Sequence, residues 1–170
     1  MNTTVKFAQV KPNAKIPSKR DEDMGFDIYA CFDEDYIVIE PHETKLIPTG
    51  IASSCDTEYG FLLRERGSTG SKGIALRAGV IDSGYRNEWF VGLTNTTDKV
   101  LFISKLSEAT TYQSHYRYIM KPSFVYPYST AIAQALVVPV PTVEVEELAY
   151  EELQNIKSER GLGALGSSGK

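Results

Sequence analysis

Cysteine and histidine are nearly absent from this chain of 170 residues: Cys31, Cys55, His42 and His115 are the whole supply. None lies at metal-ligand spacing from another, which argues against a zinc or iron–sulfur centre built on them. Two isolated thiols fit a reducing compartment. A basic excess is lacking too, with 18 Lys and Arg against 22 Asp and Glu, a formal charge of -4. Direct nucleic-acid binding is therefore not expected, and an anionic ligand would have to be held by locally placed donors. No apolar run reaches membrane-spanning length, and the start, MNTTVKFAQVK, lacks the apolar stretch of a signal peptide. No membrane association is expected.

What is present is a chain 42% hydrophobic, enough for a buried core in one globular domain. Short segments rich in Val, Ile, Leu, Thr and aromatics recur at Val5-Val10, Tyr36-Ile39, Thr44-Ile47, Gly60-Leu63, Trp89-Thr94, Val100-Ser104 and Ile132-Val140. Glycine, proline or acidic turns separate them. This rhythm predicts an all-β fold, a distorted jelly roll, sandwich or barrel of short, mostly antiparallel strands. Pro139 and Pro141 predict an edge position or an early end for the last strand, since proline donates no ladder hydrogen bond. Val145-Ile156 suits a short helix or a strand equally well.

Four clusters carry potential chemistry. Gly79-Val80-Ile81-Asp82-Ser83-Gly84-Tyr85 places an acid and an aromatic at the predicted turn of a β-hairpin. One arm runs through Ala75, Leu76, Val80 and Ile81, the other through Trp89, Phe90, Val91 and Leu93. Arg64-Glu65-Arg66-Gly67-Ser68-Thr69-Gly70-Ser71-Lys72 gathers cations and hydroxyls after a strand, with a solvated turn and a Glu65 ion pair as its plain structural reading. Asp27 follows Gly25-Phe26 into another strand. The tail from Ser158 offers Arg160-Gly161 and then Gly166-Ser167-Ser168-Gly169, donors of the kind that wrap a phosphate chain, although the spacing is not that of a Walker A loop. Between Ser104 and Ser129 lie Tyr112, Tyr116, Tyr118, Phe124, Tyr126 and Tyr128, with Phe102 just before them. That stretch predicts a binding insertion or a hairpin excursion packed on its own aromatics.

The order of these pieces resembles the trimeric all-β dUTPase family. Its motifs are matched by Gly25-Phe26-Asp27-Ile28, Arg66-Gly67-Ser68-Thr69, Gly79 through Tyr85, Ala131-Ile132-Ala133-Gln134, and Arg160-Gly161 through Gly169. The likeness is to phage and Firmicute members with an insertion before the fourth motif. It implies a jelly-roll domain over 1–157, with about 104–129 variable, and a glycine-rich lid over 158–170. It also implies a magnesium-dependent homotrimer in the cytoplasm of a bacterial host, cleaving dUTP to dUMP and pyrophosphate. That activity keeps uracil out of DNA and supplies dUMP for dTMP synthesis.

By the same resemblance, Asp82 is the general base that orients water toward the α-phosphorus, and Tyr85 packs under deoxyribose so that a 2′-hydroxyl would clash. Uracil is read by hairpin backbone near Gly79, Val80, Ile81 and Phe90. Arg66, Gly67 and Ser68 bind phosphate from a neighbouring subunit, and Gln134 lies near the α-phosphate. Asp27 reaches Mg2+ through water. Arg160, Leu165, Gly166, Ser167 and Ser168 close over base and polyphosphate.

The sequence departs from the family pattern at several positions. Gly67 replaces a serine, Gly84 an acid, Asn87 a glycine and Ala131 an arginine, while Leu165 stands where a phenylalanine stacks on uracil. Asp82-Ser83-Gly84-Tyr85 also resembles the related dCTP deaminases, which need a further glutamate where this chain has Gly92; Glu88 is close but out of step. A third reading is a β-domain whose 104–129 segment captures a regulatory protein, as some phage relatives do.

Overall fold

The computed structural model describes residues 3–114 and 121–163. The chain divides into two compact units, Met1–Val140 and Pro141–Lys170. The first unit is built from strands: β1 Lys6–Gln9, β2 Gly25–Ile28, β3 Tyr36–Ile39, β4 Thr44–Pro48, β5 Ile51–Ser54, β6 Tyr59–Arg64, β7 Ile74–Arg77, β8 Val80–Ile81, β9 Phe90–Asn95, β10 Val100–Ser104, β11 Ser123–Pro127 and β12 Ala133–Pro139. Two short helices, α1 Gly67–Gly70 and α2 Glu108–Ser114, interrupt them. The second unit carries α3, Tyr150–Asn155, started by Leu153 N–H donating to Ala149 O at 3.0 Å. No helix among the described residues is long and apolar enough to cross a membrane.

The strands form four small sheets, in the orders β1-β5, β11-β10-β3, β2-β12-β6-β8 and β4-β9-β7. Their inner faces meet in a core that buries Ile28, Ile39, Phe61, Leu63, Trp89, Leu101, Ile103 and Ala133 almost completely. Phe7, Phe61 and Trp89 pack edge-on or tilted at 4.9 to 5.8 Å between ring centres. Each large side chain removed from water in this way contributes about 1.5–3 kcal/mol. The all-β architecture read from the sequence is the one observed.

Two local expectations are corrected, and the one about Pro139 holds. Ala75 to Ile81 is not one hairpin arm. β7 does pair antiparallel with β9, Leu76 opposite Leu93, but β8 leaves to pair with β6, Ile81 opposite Phe61. The break falls at Ala78 and Gly79, whose φ values of 60° and 112° end the extended pleat. The expectation for β12 holds at its end: Ala133 to Leu136 pair with β2 and Gln134 to Pro139 with β6, so the strand is interior at first, open on one side from Val137, and ends at Pro139. Pro139 is tolerated because β2 ended opposite Leu136, so no donor is needed on that side.

The second correction is the excursion after β10, which is not a hairpin. β11 lies parallel to β10, Val100 opposite Ser123, and a parallel return requires a crossover, here containing α2. Its described aromatics pack inward. Tyr126 is 1% exposed, Tyr128 meets Phe32 edge-on at 4.9 Å, and Tyr112 meets Phe102 at 6.2 Å. The buried Ser104 and Thr111 hydroxyls bond at 2.8 Å and hold α2 onto β10. Tyr116 and Tyr118 lie outside the described residues.

Candidate functional site

Strand alternation builds the first cluster. On β12, Ala133 and Ala135 point into the core, so Gln134 points the other way. Directly opposite Gln134 stand Asp27 on β2 and Arg64 on β6. Facing residues of antiparallel strands share a face, which puts an amide, a carboxylate and a guanidinium side by side. Gly25 makes room for them: a methyl there would come within 3.0 Å of Gln134 Oε1 and 3.1 Å of its Cβ.

Past the end of β6 the chain curls into α1. The buried Thr69 hydroxyl accepts Arg66 N–H at 3.0 Å and donates to Arg66 O at 2.9 Å. It is thereby committed to the turn, which leaves Ser68 as the exposed hydroxyl beside Arg66. Arg66 Nε donates to Asp27 Oδ1 at 2.9 Å, and its Nη1 lies 3.3 Å from Ala131 O and 3.4 Å from Ser68 Oγ. Gln134 Nε2 donates to Glu65 O at 2.8 Å. Asp27, Arg66, Gly67, Ser68 and Gln134 line a cleft of about 780 Å³ that Lys19, Arg20, Glu22 and Asp23 also line. Arg20 donates to both carboxylate oxygens of Asp23 and holds that acid at about 2. Three acids, Glu22, Asp23 and Asp27, line the cleft with three cations, Lys19, Arg20 and Arg66, and the Gln134 amide; the cations and amide are the donors suited to phosphate oxygens.

The second cluster is the loop after β8. Gly79 O accepts Leu63 N–H at 2.7 Å, which docks the loop on β6. No side chain fits at Gly79: a Cβ would lie 2.9 Å from both Leu63 O and Leu76 Cδ2, at a φ of +112°. Gly79→Ala is expected to cost at least about 1–3 kcal/mol of folding stability in denaturant titrations. At Gly67, where a Cβ meets nothing within 4 Å, the same change is expected to stay within about 0.5 kcal/mol. Equal effects at both positions would contradict the steric account.

Asp82 follows β8 on the surface. Its main-chain O accepts Tyr85 N–H at 3.1 Å, while no described residue donates to its carboxylate. Asp82, Val80, Ile81 and Ser83 line a second, more apolar cleft of about 180 Å³ with Phe61 and Val138. Tyr85 is 37% and Phe90 44% exposed, so each offers an unused aromatic face.

The candidates thus fall into two groups within one chain. Asp27, Arg66, Gly67, Ser68 and Gln134 come together in one cleft. Gly79, Val80, Ile81, Asp82 and Tyr85 lie on the loop side, with Phe90 on β9. Arg160 belongs to the second unit, where its Nε donates to Gly163 O at 3.1 Å. Leu165, Gly166, Ser167 and Ser168 lie outside the described residues.

Supporting residues without a motif of their own also emerge. Glu65 is not mainly an ion-pair partner: its Oε1 accepts Leu76 N–H at 2.8 Å, while Arg64 stands 3.8 Å away. That backbone bond holds its carboxyl below the usual range. Tyr126 donates to Ala131 O at 2.8 Å, the same carbonyl that Arg66 reaches. Glu88, the acid nearest the position a deaminase requires, is committed elsewhere, its Oε1 accepting Gly50 N–H at 2.8 Å.

Residues 12–107 match the family model for dUTPase. The deoxyuridine 5'-triphosphate nucleotidohydrolase of Nautilia profundicola is 34% identical over 170 residues, 98% of this chain and 99% of that protein. The protein of the same name from Neisseria meningitidis serogroup A is 34% identical over 149 residues, 85% of this chain and 81% of the relative. Among solved structures, the dUTPase of Staphylococcus bacteriophage 80alpha superposes with a TM-score of 0.72 at 24% identity, covering 98% of this chain and 99% of that one. The dUTPase from phage phi11 of S. aureus, described as showing a species-specific insert, gives 0.67 at 23% identity, over 85% and 96%. Likeness at that identity speaks for the fold, and the sequence matches carry the rest: the chain belongs to the dUTPase family.

Proposed function

We propose that this protein hydrolyses dUTP to dUMP and pyrophosphate at a site assembled between copies of the chain. Asp82 orients and deprotonates the attacking water, and Arg66 with Ser68 and Gln134 holds the phosphates. The observation that carries this reading is the offset of the two clusters along β6: Asp82 follows Ile81, which stands opposite Phe61, whereas Arg66 lies past the far end of that strand. Continuing that antiparallel register sets Asp82 beside Gly60, and the four residues from there to Arg64 at the end of β6 span about 13 Å at about 3.3 Å each, with Arg66 beyond. An acid that activates water and a cation that stabilises the same phosphorus must both lie within a few ångströms of it. One chain cannot place both there, whereas the loop of one copy set against the cleft of another can. The homotrimer implied by the family resemblance supplies that contact.

Magnesium fits this arrangement as a companion of the substrate. Among the described residues, no group of three His, Cys, Asp or Glu could hold a metal ion. Of the three acids that line the cleft, Glu22, Asp23 and Asp27, the family resemblance matches Asp27 to the ion, which its carboxylate would reach through water. Bound there, Mg2+ would neutralise phosphate charge. The chain's own task is to hold the phosphates on Arg66 and Ser68 and to keep Asp82 aimed. Lid closure by Arg160, Leu165, Gly166, Ser167 and Ser168 would then exclude bulk water. Free thiols at Cys31 and Cys55 suit a cytoplasmic setting.

Pyrophosphate release from dUTP, dTTP, dCTP and UTP, with magnesium and with EDTA, tests the proposal. Preference for dUTP and loss of turnover in EDTA are expected. Equal turnover of all four, or ammonia release from dCTP, would refute it.

A further inference from the structure

Glu88 and Arg86 are charged residues that the hydrolytic scheme leaves without a task, and both are tied into the loop that carries Asp82 and Tyr85. The Glu88 side chain is only 16% exposed, and its Oε1 takes Gly50 N–H at 2.8 Å, with Lys11 Nζ 3.5 Å away. Gly50 is closely enclosed. Its φ is +67°, and a methyl there would sit 2.7 Å from Ala14 Cβ. Its carbonyl also accepts the N–H groups of Val10 at 2.7 Å and Lys11 at 3.2 Å.

The residue after Glu88 is held as firmly. Trp89 is fully buried, its N–H donates to Ile51 O at 2.8 Å, and its carbonyl accepts both N–H and hydroxyl of Thr49. On the other side of Glu88 the loop reaches back to it: the Tyr85 hydroxyl donates to Glu88 O at 3.0 Å. Arg86 Nη1 gathers the carbonyls of Ser83 and Tyr85 and links them to Ser53 O on β5 at 3.3 Å. A continuous path of bonds therefore runs from the Gly50 anchor through the Glu88 carboxylate to Glu88 O and on to the phenol of Tyr85.

We propose that Glu88 is a specificity-positioning residue: its bond to Gly50 N–H fixes the carbonyl that receives the Tyr85 hydroxyl and so fixes where the tyrosine ring stands. The inference rests on the reading of Tyr85 as the ring that excludes a 2′-hydroxyl. Exclusion by shape depends on a wall that does not retreat, because one added oxygen is accommodated once the wall moves by about an ångström. Asp82 reaches the loop from the other end, through β8 and the Gly79 bond to Leu63. Slackening the Glu88 end therefore moves the sugar wall more than it moves the acid. What the anchor requires is an acceptor for Gly50 N–H, and a glutamine carbonyl oxygen supplies one as well as a carboxylate does.

The test measures kcat and KM for dUTP and UTP with magnesium, and melting temperature, on the full chain. Wild-type protein that fails to prefer dUTP over UTP would refute the reading of Tyr85 itself, independently of Glu88. Given that preference, Glu88→Ala is expected to lower the dUTP-to-UTP ratio of kcat/KM about tenfold, chiefly by improving use of UTP, while Glu88→Gln stays within about twofold of wild type. Glu88→Asp keeps the charge but draws it back by one methylene, so it should fall between them, and it serves in place of the alanine variant if that one does not fold. A ratio unchanged in the alanine or aspartate variant, whatever happens to melting temperature or kcat, overturns the proposal. So does a glutamine variant as permissive as alanine, since charge rather than the Gly50 bond would then be at work.

Discussion

Asp82→Asn is expected to lower kcat for dUTP by about 10²–10⁴, the range typical of losing a positioned general base, while leaving the melting temperature within a degree or two of wild type. The two expectations have separate origins. The Asp82 carboxylate accepts no hydrogen bond from any described residue, and its main-chain carbonyl alone closes the turn to Tyr85 N–H. Asparagine keeps that carbonyl and nearly the same shape, so folding has little to lose. What asparagine cannot do is take a proton from water, because its amide oxygen is a far weaker base. Binding of a non-hydrolysable dUTP analogue should persist within about threefold, since the change is felt in the transition state. Full turnover by the asparagine variant, with its fold intact, would remove Asp82 from the mechanism.

Much of this arrangement was legible in the sequence, and the parts that were not share a physical origin. The motif residues Asp27, Arg66, Gln134 and Asp82 follow from residue type and order, and for Gln134 simple alternation in Ala133-Gln134-Ala135 already sets its face. Strand positions such as Tyr36-Ile39 and Val100-Ser104 were readable because each is a short run of β-branched and aromatic residues between turns. The split between β7 and β8 was only half visible: Gly79 marks a break, but alanine is an unusual residue for a φ of 60°, so nothing at Ala78 shows that the chain changes partners there. The parallel return of β11 was hidden because pairing partners are a non-local choice, and local patterning is the same for parallel and antiparallel neighbours. Pro139 marked the open end of β12, but not where that opening begins. Its cost depends on whether β2 still runs alongside at that point, which only the register reveals.

Supporting residues were invisible for the same cause. Thr69 reads as one more hydroxyl in a polar loop, yet it is buried and spent on both backbone groups of Arg66. Tyr126 reads as part of an aromatic binding segment, yet its hydroxyl holds Ala131 O, where Arg66 also donates. Among the described residues, the segment between β10 and β12 thus reaches Arg66 through the Ala131 carbonyl and the buried Tyr126 phenol that holds it, and its other described aromatics pack against the core.

Arg66→Ala is expected to lower kcat/KM for dUTP by about 10²–10³, the loss seen when one donor to developing phosphate or oxyanion charge is removed. Stability should change little, since the Arg66–Asp27 pair is about a third exposed, at 28% and 34%, and such pairs contribute about 0–1 kcal/mol. Arg66→Lys should recover little. The guanidinium serves Asp27 through Nε and Ala131 O through Nη1 while keeping donors for a phosphate, whereas an ammonium is a single point of charge. The pairing at 2.9 Å further predicts how Asp27 enters. If its carboxylate acts mainly by aiming Arg66, Asp27→Asn should cost activity in the wild-type background and less than about threefold more once Arg66 is gone, a strong coupling in the double-mutant cycle. If Asp27 instead acts mainly through magnesium-bound water, the two losses should multiply. The bond seen here, with Arg66 already turned onto Asp27 and Ser68 beside it, favours overlap. Fully multiplicative losses would mean that the ion pair is incidental to catalysis and that Asp27 serves the metal alone.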